Sequence, residues 1–193
     1  MRYPSIKVLI VVFSLVFLSI FQTYGQSVSF ELKTSPNINF DFNTINKYIH
    51  GIIAYNICEL NVKVDGVQWD MYVGAETTTA GQWDVVSEYS STGDIPPIDI
   101  VQIRINNSSR TSLIPDFFVL KDITSPSYLI GSPSAPDPAI SCPDQGTNQP
   151  GDYNSSPGCY KFRVDLKITP GLDPIYRAGL YSLEIHYMLV EDL

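Results

Sequence analysis

With two histidines, three cysteines and two tryptophans among 193 residues, the chain holds few of the side chains from which active sites are usually built. No short spacing ties His50 or His186 to the other or to a cysteine, whereas zinc sites usually declare themselves by paired ligands. The Gly-x-Ser-x-Gly turn of serine hydrolases does not occur, and neither does a glycine-rich loop able to cradle phosphate. Acidic residues number 20, so a facing pair suited to glycoside hydrolysis can always be proposed, and abundance alone is no evidence for one. The expectation is a protein that is not an enzyme, with no catalytic residue, no cofactor and no metal. Basic stretches interleaved with aromatics are absent, and the net charge of −8 opposes nucleic acid and anionic membrane surfaces as partners. Helical periodicity, internal repeats and domain linkers are also missing.

What the sequence does have begins with a leader. Arg2 and Lys7 precede an apolar run from Val8 to Phe21, followed by the short polar stretch Gln22-Thr23-Tyr24-Gly25, which is the order of a secretory signal peptide. Small residues, Thr23 and Gly25, stand where a signal peptidase cuts, giving a signal peptide at 1–25 and a mature domain at 26–193. The run is short of the roughly 20 residues that span a bilayer, and no later segment is long and apolar enough to do so. No cysteine follows the cut, which argues against a lipid anchor. The mature chain is therefore expected in the periplasm or on the extracellular surface. It is long enough to bury one sizeable core.

Export permits disulfides. Cys142 and Cys159 flank a Pro-, Gly- and Asp-rich stretch within the long loop at 132–158, and a bond between them would pin it. Cys58 alternates into one strand face with Leu60, Val62 and Val64, where a buried thiol behaves as a small hydrophobe. Period-two alternation marks strands at Val28–Leu32, Cys58–Val64, Val67–Gly74, Trp83–Tyr89, Ile98–Ile105 and Tyr160–Ile168, and one long closing strand at Tyr181–Leu189. Asp65-Gly66 reads as a hairpin turn between the second and third of these. On Tyr160–Ile168, Lys161, Arg163, Asp165 and Lys167 are expected to form the wet face. The stretch from Phe42 to Tyr55 reads as a loop or one helical turn, capped by Asp41 or Asn43. The fold class expected is all-β, a single antiparallel β-sandwich, immunoglobulin-like or pilin-like, of about seven to nine strands.

The run Arg177-Ala178-Gly179-Leu180-Tyr181-Ser182-Leu183-Glu184-Ile185 resembles the last strands of secreted bacterial β-sandwich proteins of the pilin-like and spore-coat-U-like kind, which often enter a closing strand through Gly-x-Tyr. Residues 57 to 73, ending in Trp69-Asp70-Met71-Tyr72-Val73, look like an early hairpin of such domains. The resemblance implies a structural or adhesive role at the cell surface or in the envelope. It transfers no active-site residue. Pairing of the N-terminal strand within its own domain is expected ahead of donation to a neighbour.

Candidate binding residues follow from exposure and chemistry. Trp83, Tyr89, Tyr128 and Tyr153 are candidates for stacking on sugar rings, although core packing is the commoner use of strand tryptophans. Asp137, Asp144 and Asp152 share the long loop and suit calcium, set against a solvated acidic loop. The sequons at Asn106, Asn107 and Asn154 fit exposed turns. The functional expectation is an exported, non-enzymatic structural or adhesion component with protein partners in the envelope or self-association. The alternative is a carbohydrate- or protein-binding accessory subunit of an envelope assembly such as a secretion or motility apparatus, a glycan being one possible ligand.

Overall fold

The computed structural model describes residues 27–34, 37–107, 116–134, 138–142, 146–171 and 176–192. The leader at 1–25, Asp137 and Asp144 lie outside these ranges. The protein is all-β, with every pairing between its strands antiparallel. Its strands are β1 (Ser27–Thr34), β2 (Ile52–Asp65), β3 (Trp69–Glu76), β4 (Asp84–Glu88), β5 (Val101–Asn107), β6 (Phe118–Val119), β7 (Ser127–Ile130), β8 (Gly151–Asp152), β9 (Lys161–Ile168), β10 (Gly179–Ser182) and β11 (Glu184–Glu191). The largest sheet runs β1-β2-β9-β5-β6, with β8 added on β2. A second runs β11-β3-β7, and β10 pairs with β4 in a third. The count exceeds the expected number because β6 and β8 are two-residue pairings and the closing strand is divided.

The alternation read from the sequence becomes the core. Cys58, Leu60, Val62 and Val64 of β2, Val101, Ile103 and Ile105 of β5, and Phe162, Val164, Leu166 and Ile168 of β9 are all buried, and they meet Trp69, Met71, Val73 and Ala75 of β3 in one cluster. The inward rows of the two larger sheets thus share a single core, an arrangement compatible with a β-sandwich. Full burial of each such side chain contributes on the order of 1.5–3 kcal/mol. β1 pairs with β2 of its own domain from Ser27 opposite Asp65 to Thr34 opposite Cys58.

Three local expectations are corrected. Asp65-Gly66 does not close a hairpin: Gly66 turns in the left-handed region at φ 79° and sends the chain from β2 in the first sheet to β3 in the second. The closing strand is two strands, since Tyr181 pairs with Val85 while Ile185 pairs with Ala75, and the chain changes partner at Leu183. The segment after Phe42 forms α1 (Ile45–His50), whose N-cap is Thr44, with Lys47 N–H donating to its Oγ1 at 3.3 Å, and which ends at Gly51. A second short helix, α2 (Pro157–Tyr160), precedes β9.

Asp165 is the fourth correction, because it is only 2% exposed rather than part of a wet face. Its carboxylate accepts from Arg104 Nη2 at 2.6 Å and Nε at 3.1 Å, from Asn106 Nδ2 at 3.0 Å and from the Asn56 N–H at 2.8 Å. Asn56 sits at φ 51° where the β2–β9 register slips between Ala54 and Cys58. Asparagine tolerates that left-handed conformation, and the bulge aims its N–H at the carboxylate.

The long loop is pinned, as expected. Cys142 and Cys159 form a disulfide with Cα atoms 5.9 Å apart. Trp69 fastens the same excursion from beneath: its main-chain N–H donates to Asn148 O at 3.0 Å and its Nε1–H to Gln149 O at 2.9 Å. Buried Asn148 in turn accepts from Ile140 N–H at 2.8 Å and donates to Pro138 O at 3.1 Å.

Candidate functional site

A cavity of about 1040 Å³ opens where β10 and β11 part company at Leu183. Ile57 and Cys58 of β2 and Leu166 and Ile168 of β9 form one wall, and the segment 37–42, Tyr48 of α1 and the 176–185 run surround the rest of the space. Its walls are mainly aromatic and aliphatic: Phe40, Phe42, Ile57, Trp83, Leu166 and Ile185 contribute, with tyrosines at 48, 89, 176, 181 and 187. Pockets that bind small molecules are of this size, mostly apolar and supplied with a few placed polar groups.

Its polar groups include five tyrosine hydroxyls and the Cys58 thiol, with Asn37, Asn39, Asp41, Arg177 and Glu184 also at the wall. Tyr181 donates to the Arg177 carbonyl at 2.6 Å. At the floor, the Cys58 Sγ lies 3.8 Å from the Tyr187 hydroxyl. Burial pushes the Cys58 thiol up to about 11, against a smaller opposing effect of the Tyr187 contact, so the thiol is protonated and unreactive at neutral pH. Burial first, and then proximity to Cys58, raises the Tyr187 hydroxyl well above its ordinary value. Burial is also the leading cause of the upward shifts at Tyr176 and Tyr181. A protonated thiol and neutral phenols can donate and accept hydrogen bonds but offer no nucleophile and no general base near neutral pH.

Of the four stacking candidates, the structure brings two to this cavity. Trp83 lines it, half-buried, with its Nε1–H donating to Pro97 O at 3.1 Å. Tyr89 stands at the rim with 73% of its surface exposed. Tyr128 instead packs on Tyr72 with ring centroids 5.4 Å apart, and Tyr153 packs against the core with Lys161 Nζ 5.6 Å from its ring. The four are therefore not one platform. The residues that sequence reasoning missed are Phe40, Phe42, Tyr48, Tyr176 and Tyr187. The one signal they left was tyrosine abundance, 12 in all, which names no location.

The remaining candidates fall elsewhere. Asp152 accepts from Asn154 N–H at 2.7 Å and pairs with Lys63 at 3.3 Å. No cluster of three metal-ligating side chains occurs among the described residues. His186 reaches Glu76 at 3.0 Å on the surface, and His50 is exposed at the end of α1. Asn107 is fully buried on β5, so that sequon does not occupy an exposed turn, whereas Asn154 is exposed. Among the described residues no helix is long and apolar enough to cross a membrane. No protein-family model matches the chain, and no curated protein matches it.

Proposed function

We propose that this chain is an exported, non-enzymatic component of the bacterial cell surface or envelope that works by holding a ligand in the cavity at the end of its large sheet. The observation that carries the reading is the cavity itself: about 1040 Å³ of aromatic-lined space bounded by protonated hydroxyls and a protonated thiol. Such a lining recognises shape and apolar surface. The Cys142–Cys159 disulfide supports export, since such bonds persist in oxidising compartments. The resemblance of the 177–185 run to pilin-like and spore-coat-U-like domains supports placement at the surface, in a structural or adhesive role. Trp83 and Tyr89 at the cavity favour the accessory-subunit version of that role, in which a captured ligand or partner group is the function.

The test is native mass spectrometry of the chain recovered from its own envelope, beside a variant whose cavity is narrowed, Ile57→Trp. A mass increment that the wild type loses on denaturation and the variant carries less often is the expected result. Bare chain in both samples overturns the reading.

A further inference from the structure

The cavity carries a second conclusion, about what kind of molecule fits it, and this rests on the binding reading above. The guanidinium at its wall is already paired with a carboxylate. The Arg177 guanidinium is paired with the Glu88 carboxylate through Nη1 and donates through Nε to Gly93 O at 3.3 Å. The Asp41 carboxylate accepts from Asn43 Nδ2 at 2.9 Å. Glu184 points its carboxylate outward, with the side chain 82% exposed and His186 3.5 Å away. A ligand carboxylate or phosphate placed inside would find no free cation among these groups and would meet the Asp41 and Glu184 carboxylates instead. Burying an unpaired charge is too costly for either to bind well.

The floor offers neutral chemistry instead. The Cys58 thiol and the Tyr187 hydroxyl share one contact at 3.8 Å, and both residues line the cavity. Tyr48 and Tyr176 add phenols higher on the wall. Apolar walls above a hydrogen-bond donor complement a hydrocarbon body that ends in a hydroxyl, ester or ether oxygen.

We infer that the cavity is a binding site for an uncharged amphiphile, a molecule with an acyl-chain or ring-hydrocarbon body and a neutral oxygen-bearing head group, and that it discriminates against the corresponding carboxylate.

The test uses the mature full-length domain and an uncharged fluorescent probe, Nile red. The probe is displaced with monododecanoylglycerol or with dodecanoate at mildly alkaline pH, below micelle-forming concentrations. The glycerol ester displaces the probe, and the anion needs at least about tenfold more, the ratio that one unpaired polar contact readily produces. Equal displacement by the two, or preference for dodecanoate, overturns the assignment to an uncharged ligand while leaving the cavity a binding site. Absence of probe binding to the wild type, or undiminished binding to Ile57→Trp and to a second narrowing variant, Leu183→Trp, overturns both conclusions. Circular dichroism confirms that each variant has folded.

Discussion

Cys58 and Tyr187 face each other at 3.8 Å on the cavity floor, and their shared burial has a consequence for stability. An unfolded thiol ionises near 9.0, whereas the native Cys58 keeps its proton up to about 11. Between those values the unfolded state has released a proton that the native state retains, so stability falls as pH rises through the window and is fully present below it. A gap of that width corresponds to roughly 3 kcal/mol. The Tyr187 hydroxyl, held up mainly by burial, extends the fall in the same direction above its ordinary 10.0. Cys58→Val keeps a small hydrophobe in the core and removes the thiol's titration. Urea unfolding from neutral to strongly alkaline pH is expected to give a shallower decline for this variant than for the wild type. Parallel curves would assign the decline to the buried tyrosines, Tyr187 foremost. That Cys58 is a buried hydrophobe was legible in the sequence, because its strand alternates cleanly. Asp165 was not legible: alternating with Lys161, Arg163 and Lys167, it carries the signature of a wet face. Its burial depends on Arg104 and Asn56, which lie 61 and 109 residues away in the chain and are brought to it only by strand pairing.

At the level of elements, the sequence shows where strands lie more readily than with whom they pair. Tyr181, Leu183, Ile185, Tyr187 and Leu189 keep one unbroken alternation, yet the partner changes at Leu183 from β4 to β3. Alternation records which face is inward, and both strands present the same face, so the switch leaves no trace in the pattern. Asp65-Gly66 is similar: the turn is real, but a turn signal is local, and the two strands it joins belong to different sheets. The long loop was read correctly because its restraint is covalent and visible as two cysteines 17 positions apart. In the chain-entropy picture a closed loop of that length is worth about 3 kcal/mol. Reduction, or Cys142→Ser, is therefore expected to lower the unfolding free energy by about that amount in denaturant titration. An unchanged midpoint would mean that Trp69, through its bonds to Asn148 and Gln149, holds the excursion without help.

For the whole molecule, the fold class was legible and the cavity was not, for one physical reason. Period-two patterning specifies what is buried, whereas a cavity is a place where buried surface goes unmatched, and that depends on how the sheets divide. Here β10 pairs with β4 and β11 with β3, the chain divides at Leu183, and a cavity of about 1040 Å³ lies beside that division. Protein interiors are normally close-packed, and apolar surface facing a void forgoes the contacts that stabilise a core. The empty protein therefore carries a stability deficit that a bound molecule removes. A ligand present at about a hundred times its dissociation constant stabilises by about 2.7 kcal/mol. In a domain of this size that corresponds to a rise in melting temperature of roughly 5–10 °C. Differential scanning calorimetry of the protein stripped of ligand, with and without monododecanoylglycerol, is expected to show that rise in the wild type. Ile57→Trp is expected to show a smaller rise, because its indole takes up part of the space. If the stripped wild type melted at the same temperature with and without the ester, the cavity would be no more than a packing defect, and the function proposed for the protein would have to lie on an outer face of the sheets.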